Sequence, residues 1–112
     1  MCVFCKIVSG EAAARIVFQD EDVVAFHDVN PQAPTHVLVI PRKHIVSLAE
    51  AEDADTELLG KLMQCARRVA EMLDLVKSGY RVVINNGAGA GQSVFHLHVH
   101  VIGGRRMRWP PG

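Results

Sequence analysis

The chain alternates short apolar runs with polar, glycine- or proline-containing breaks. Residues 14–19 and 23–28 are rich in valine, isoleucine and phenylalanine, and an acidic turn at residues 20–22 separates them. This pattern predicts a β-hairpin. A third apolar run at residues 36–40 follows a segment with two prolines and ends at Pro41. Because proline has no N–H for a strand ladder, these prolines bound a third strand.

One long segment has helical periodicity. Between residues 54 and 75, leucine, methionine, alanine and valine recur at helical spacing, which predicts an amphipathic helix with one face on a sheet. Ser47 and Glu50 predict a capping box for a short helix. Apolar runs at residues 80–84 and 94–102 flank the glycine-rich segment 87–91. We therefore predict an α+β fold with a five-stranded antiparallel sheet, one long helix and one short helix.

Composition narrows the class of protein. A length of 112 residues fits one domain, and we assign residues 1–112 to it. A net charge of zero and 49% hydrophobic residues indicate a globular protein that is not drawn to nucleic acid or membrane. With no spanning apolar run and no signal-peptide pattern at the start, we expect a cytoplasmic protein. The three cysteines are an odd number and do not suggest a disulfide framework.

The last predicted strand carries three histidines on one face. Successive side chains alternate between His96, His98 and His100 on one side and Leu97, Val99 and Val101 on the other. Same-face residues lie about 6.5–7 Å apart, so all three imidazoles do not easily converge on one metal ion. Such a row could ligate a metal with other neighbours, bind an anion such as phosphate, or supply a nucleophile with acid and base partners. The preceding segment 87–93 has small residues whose N–H groups can approach a phosphate.

Residues 96–102 match the motif His-φ-His-φ-His-φ-φ, where φ is apolar, and resemble the histidine-triad superfamily of nucleotide-binding proteins. The similarity continues through residues 91–95 and 103–112, and upstream through residues 25–36 and 39–45. The final Trp-Pro-Pro-Gly resembles the Hint branch, the nucleoside phosphoramidases. The resemblance covers nearly the whole chain.

This resemblance implies a hydrolase of purine nucleoside 5′-phosphoramidates, that is, of AMP- or GMP-linked amines and of aminoacyl adenylates. His98 corresponds to the nucleophile that forms a nucleotidyl-histidine intermediate, and its second ring nitrogen should donate to a backbone carbonyl. His100, with His36 behind it, would hold or pass a proton. Further contacts to phosphate and leaving group are expected from Asn85, Gly91, Ser93 and Val94.

The resemblance also assigns the nucleoside end of the site to the first part of the chain. Asp28 resembles the ribose-binding carboxylate of the family, and His27 beside it is included among the substrate-binding residues. An apolar slot for the purine is expected from Phe4, Ile7, Phe26 and Val29. The chemistry implied by the family requires no cofactor.

Cys2 and Cys5 depart from the Hint pattern. A Cys-x-x-Cys pair is half of a tetrahedral zinc site, and other branches of the superfamily bind zinc at these motif positions. His44 and His96 would complete a Cys₂His₂ set. Such a closed site would be structural and would leave the other histidines of the motif free for chemistry.

In the Hint branch, subunits pair through the helix and an edge strand, which implies a homodimer. Residues 103–112 would form a tail that reaches toward the partner subunit, with Trp109 near the substrate. Two alternatives remain beside the phosphoramidase. One is a dinucleoside polyphosphate hydrolase or nucleotidyltransferase of the same superfamily, and the other is a non-catalytic nucleotide- or zinc-binding interaction module.

Overall fold

A five-stranded antiparallel sheet forms the centre of the protein, seen here in a computed structural model that describes residues 2–112. Its strands are β1 (Ile16–Gln19), β2 (Val23–His27), β3 (Thr35–Pro41), β4 (Tyr80–Val83) and β5 (Val99–Gly103), in the spatial order β1-β2-β3-β5-β4. The helices are α1 (Val3–Ser9) and α2 (Thr56–Met72). The predicted α+β fold is confirmed. Neither helix is long and apolar enough to cross a membrane.

Both faces of the sheet are buried because side chains alternate along each strand. Val37 and Val39 of β3 pack with α2 in one core cluster. Leu38 and Ile40 pack with Phe4 of α1 in a second cluster on the opposite face. The sheet therefore lies between the two helices, and the α1 side is the face on which the histidines of the motif lie.

Helix α2 connects β3 to β4 and begins after a 3₁₀ turn at Asp53–Asp55. A capping box forms between Glu52 and Asp55, and the Lys43 ammonium lies 2.7 Å from the buried Asp55 carboxylate. The capping box predicted at Ser47 and Glu50 is wrong. Ser47 makes no capping hydrogen bond, and only a 3₁₀ turn, Leu48–Glu50, follows it.

The short helix is α1, at the start of the chain, and its seven residues are too few to give a clear periodic pattern. Its N-terminus is capped by Cys2, whose Sγ accepts a hydrogen bond from the Cys5 N–H at 3.4 Å. The helix ends at Ser9, and Gly10 caps its C-terminus with φ +84°, a conformation that favours glycine.

The strand predicted over residues 94–102 is shorter than expected, because β5 begins only at Val99. Residues 94–96 form a bend before it, after which the Leu97 N–H donates to the Ile45 carbonyl at 2.6 Å. The predicted alternation is confirmed. Leu97, Val99 and Val101 are all buried in the core cluster that packs against α2.

Candidate active site

A cavity of about 330 Å³ opens on the α1 face of the sheet. At its apolar end lie the predicted residues Phe4, Ile7, Phe26 and Val29. The Phe4 ring meets the Phe26 ring edge-on, with 5.5 Å between centroids, and meets the His98 ring at 5.1 Å. Helix α1 therefore forms one wall of the cavity.

The sequence reasoning missed five residues that also line this cavity: Val3, Ala12, Ala13, Ala14 and Leu38. Leu38 could have been found, because it lies two residues beyond His36 on the same face of a predicted strand. Ala12 and Ala13 lie in a segment with no secondary-structure signal, and Ala14 begins the apolar run that predicts the first strand. Nothing in their pattern indicates a cavity wall.

The polar end of the cavity contains the predicted residues His27, Asp28, Ser93, Val94, His98 and His100. His98 is almost fully buried, and its Nδ1 lies 2.7 Å from the backbone carbonyl oxygen of His96. A carbonyl can only accept a hydrogen bond, so Nδ1 carries the proton. The lone pair of His98 is therefore on Nε2. The predicted contact to a backbone carbonyl is present.

His100 and His36 form a hydrogen-bonded pair, with 2.8 Å between His100 Nδ1 and His36 Nε2. The same His36 nitrogen lies 3.4 Å from Asp28 Oδ2. Burial lowers the pKa of His36, although Asp28 opposes this effect. Burial, together with the neighbouring His98 and His36, lowers the pKa of His100 to about 4. Both rings are therefore neutral at pH 7.

The second ring nitrogen of His100 is buried, and within residues 2–112 it has no hydrogen-bond partner. Buried polar atoms in folded proteins are nearly always paired. Since His100 lines the cavity, this atom is suited to a polar group of a ligand.

Gln92 holds the segment that delivers Ser93 to the cavity. Its side chain is only 3% exposed and binds three main-chain groups. Oε1 accepts from the Gly87 N–H at 2.8 Å, and Nε2 donates to the carbonyls of Val46 at 2.7 Å and Val94 at 3.2 Å. The sequence pattern predicts a role only for the main-chain N–H of Gln92, as a group that can approach a phosphate.

Four predicted residues, His36, Asn85, Gly91 and Trp109, are not among those that line the cavity. His36 lies behind His100, as expected. Asn85 and Gly91 are neighbours, since a β-carbon on Gly91 would stand 3.8 Å from Asn85 Nδ2, but neither borders the cavity.

Trp109 also lies outside the cavity of its own chain and is 82% exposed. The Arg81 guanidinium lies 5.9 Å from the centre of its indole ring and donates to the Arg108 carbonyl at 2.8 Å. The tail therefore contacts β4.

The four predicted zinc ligands, Cys2, Cys5, His44 and His96, come together at the start of α1, with their ligand atoms within 4.8 Å of one another. His44 Nδ1 lies 3.2 Å from Cys5 Sγ and 3.1 Å from His96 Nδ1. His96 Nδ1 lies 3.5 Å from Cys2 Sγ and 3.6 Å from Cys5 Sγ.

These distances, 3.1–3.6 Å, come close to those around a tetrahedral zinc ion. Bonds of about 2.0 Å to nitrogen and about 2.3 Å to sulfur place neighbouring ligand atoms about 3.3–3.8 Å apart. The opposite ring nitrogen of His96, Nε2, donates to the Pro41 carbonyl at 2.8 Å and leaves the Nδ1 lone pair facing the cysteines. Burial lowers the pKa of His96, which keeps its ring neutral as a metal ligand requires.

The model of the HIT domain family matches residues 9–107. The chain belongs to this family, as its histidine motif predicted. Among its relatives, the adenylylsulfatase HINT1 of Arabidopsis thaliana is 46% identical, over 98% of this chain and 76% of the relative. This similarity confirms the predicted Hint branch.

Other relatives agree in sequence and fold. The 14 kDa zinc-binding protein of Zea mays is 50% identical, over 98% of this chain and 87% of its own length. The crystal structure of a HIT family hydrolase from Legionella pneumophila superposes with a TM-score of 0.98 at 48% identity, covering 100% of both chains. A HIT family hydrolase from Clostridium thermocellum gives a TM-score of 0.93 at 45% identity, over 96% of this chain and 93% of that one.

Proposed function

We propose that the protein hydrolyses purine nucleoside 5′-phosphoramidates through a nucleotidyl-histidine intermediate on His98. The observation that carries this proposal is the hydrogen bond from His98 Nδ1 to the His96 carbonyl. In the neutral ring it leaves Nε2 unprotonated, on a residue that lines a cavity with both apolar and polar side chains. An imidazole in this state is a nucleophile that needs no separate base.

The reaction has two displacements at the α-phosphorus. In the first, His98 Nε2 bonds to phosphorus and the P–N bond breaks, so that the amine leaves. In the second, water cleaves the Nε2–P bond and releases the nucleoside monophosphate. The departing nitrogen takes a proton from solvent in the first step, and the attacking water returns one to solvent in the second as its oxygen bonds to phosphorus, so one water molecule is consumed overall. Splitting the reaction in this way replaces one difficult step by two easier ones.

The remaining polar residues of the cavity bind the phosphate. The unpartnered Nε2 of His100 is placed to donate to a phosphate oxygen, and the Ser93 hydroxyl serves the oxygens or the leaving nitrogen. Hydrogen bonds to charge that grows in the transition state are a major source of catalysis. Asn85 and the main chain near Gly91 adjoin this end and would act from just outside the cavity.

The nucleoside extends toward α1. Asp28 accepts a hydrogen bond from the Asn30 N–H through Oδ1 at 2.9 Å, and its carboxylate lines the cavity, which suits the two hydroxyls of a ribose. The base lies between Phe4, Ile7 and Val29, where aromatic edges and apolar side chains accept either purine. His27 borders the same region. The adenylylsulfatase activity in the name of the Arabidopsis relative supports adenylates as the substrate class.

The experiment is mass spectrometry of protein quenched during turnover of a fluorogenic adenosine 5′-phosphoramidate. We expect an AMP adduct on the peptide containing His98, and loss of both adduct and turnover in His98→Ala and His98→Gly. Asp53→Asn, on an exposed carboxylate in the 3₁₀ turn before α2, is the control and should retain both.

A substrate panel distinguishes the alternatives. It includes adenosine 5′-phosphosulfate, diadenosine polyphosphates and an aminoacyl adenylate beside the phosphoramidates. Preference for a dinucleotide would favour a polyphosphate hydrolase. Tight AMP binding without turnover of any substrate would overturn the enzymatic proposal and favour a binding module.

We further propose that Cys2, Cys5, His44 and His96 hold a structural zinc ion. The fit of the four ligand atoms to a tetrahedron supports it, as does the zinc-binding name of the Zea mays relative. When bound, the ion supplies no chemistry to the reaction and ties α1 to the sheet. His98 and His100 are not among these ligands and stay available in the cavity.

We also propose a homodimer formed across the β4 edges of two subunits. In the sheet, β4 pairs only with β5, so its other edge is open, and Val82 on this strand is 39% exposed. The tail contacts β4 and carries an exposed Trp109 away from its own cavity. This position is consistent with a tail that reaches the partner subunit.

A further inference from the structure

His36 is buried behind the cavity with both ring nitrogens engaged. Nδ1 lies 3.0 Å from the main-chain nitrogen of Gln32, and Nε2 lies 2.8 Å from His100 Nδ1. The side chain of His36 is 4% exposed, so water does not compete for either nitrogen. The protons on this pair are therefore determined by the protein.

The main-chain N–H of Gln32 can only donate, so Nδ1 of His36 is an acceptor and carries no proton. The proton of the neutral ring is then on Nε2. Two acceptors face it there, His100 Nδ1 at 2.8 Å and Asp28 Oδ2 at 3.4 Å. Since His100 accepts through Nδ1, its own proton is on Nε2, the buried atom without a partner in residues 2–112.

The peptide group of Gln32 is itself held in place. Its carbonyl accepts from Arg105 Nε at 3.2 Å, and its side-chain amide donates to the Asn30 carbonyl at 3.0 Å. The loop closes where the Asp28 N–H donates to the His36 carbonyl at 2.9 Å. A contact from the segment after β5 therefore helps to hold the residue whose N–H faces His36.

We propose that the main-chain N–H of Gln32 is a positioning group that selects the Nε2–H tautomer of His36 and, through it, the Nε2–H tautomer of His100. This assignment deepens the proposed function, on which its catalytic part rests. If His36 took the other tautomer, its Nε2 would accept from His100 Nδ1. His100 would then present a lone pair to the cavity, and a phosphate oxygen would meet an acceptor in place of a donor.

The first test needs no activity. In protein labelled with ¹⁵N-histidine, long-range ¹⁵N–¹H correlation spectra at pH 7.5 report which ring nitrogen of each histidine is protonated. We expect Nε2–H at both His36 and His100, and Nδ1–H at His98. A protonated Nδ1 on His36 in the unmodified protein would overturn the proposal.

The second test removes the N–H. Gln32→Pro lacks it, whereas Gln32→Ala keeps it and loses only the side-chain contact to Asn30. We expect Gln32→Ala to retain the Nε2–H tautomers and Gln32→Pro to lose them. We also expect kcat/KM for the phosphoramidate to be at least about tenfold lower in Gln32→Pro than in Gln32→Ala, since loss of one oxyanion donor costs about 10²–10³ in rate.

If Gln32→Pro does not fold, an ester in place of the amide between Pro31 and Gln32 removes the same N–H without adding a ring. Unchanged tautomers in Gln32→Pro or in the ester variant would overturn the proposal. Expected tautomers in a protein that cleaves no phosphoramidate would leave the assignment standing and overturn only the proposed function.

Discussion

His100 pairs one ring nitrogen with His36 and turns the other toward the cavity, and it remains neutral at a pH where an exposed histidine begins to charge. Burial and two neighbouring histidines lower its pKa to about 4 in the folded chain. An unfolded chain returns it to about 6.5. Between these values the unfolded state binds more protons than the folded state. The free energy of unfolding therefore falls as the pH falls through this window.

We predict that replacing His100 removes part of the acid sensitivity of the protein. The shift in pKa corresponds to up to about 3 kcal/mol lost below pH 4, beginning near pH 6.5. Urea unfolding of wild type and His100→Asn at pH 7.5, 5.5 and 4.5 measures it. The variant should lose less stability over this range. Because His36 and His96 titrate in both proteins, the difference between the two curves reports His100. Parallel curves would contradict the prediction.

At this scale, alternation alone was enough to place the histidines of the motif on one face, and the tautomer argument anticipated the carbonyl partner of His98. Neither observation predicts the contacts of Gln92. Its side-chain amide donates to the Val46 carbonyl in a distant segment and to the Val94 carbonyl two residues away. The first contact depends on which segments meet in the fold and the second on the turn of the loop, and no local pattern contains either.

Helix α1 connects the proposed metal site with the cavity. Cys2 caps it, Cys5 lies in its first turn, and both belong to the proposed metal site with His44 and His96, while Phe4 and Ile7 line the cavity. A helix of seven residues is marginal by itself. It is stabilised by the packing of Phe4 and, in our proposal, by the metal. This explains why periodicity predicted α2 and missed α1.

We predict that protein purified without added metal contains about one zinc ion per chain, and that Cys5→Ser loses it. Because α1 then has one anchor fewer, AMP should bind about tenfold more weakly, comparable to the loss of an aromatic contact. Elemental analysis and calorimetric titration with AMP measure the two effects. Lys6→Ala, an exposed change on the same helix, should alter neither. If wild type is purified without zinc and is as stable as it is with added zinc, the zinc assignment is wrong.

At the scale of the whole molecule, β4 is one of the two edge strands of the sheet. Its outer edge is open and lies beside the tail that carries Trp109. Open edges with exposed apolar side chains favour pairing with another strand. We predict a sedimentation mass of about twice the 12.3 kDa of one chain. Val82→Lys, which places a charge on β4, should shift the mass toward the monomer, whereas Glu11→Gln should not. A monomeric wild type would contradict the prediction.

The tail gives a second prediction at this scale. Deleting residues 109–112 should change the ratio of kcat/KM among phosphoramidates with different amines more than it changes the free energy of unfolding. The reason is that Trp109 is exposed in its own subunit and contributes little to the core. An unchanged substrate profile in the dimeric protein would remove the tail from the site. The fold class followed from sequence patterns, but the strand order was not predicted, and the subunit arrangement depends on surfaces that a single chain leaves open.

The contacts that orient the buried histidines share one chemical property. The His96 carbonyl holds His98, the Pro41 carbonyl holds His96, and the Gln32 N–H holds His36. All three partners are main-chain groups, which an amino-acid substitution leaves in place unless proline removes an N–H. Residue identity at positions 32 and 41 can therefore drift without erasing the proton positions, and side-chain scanning underestimates how much these positions matter. The mutations to which this site is most vulnerable are those that shift the backbone.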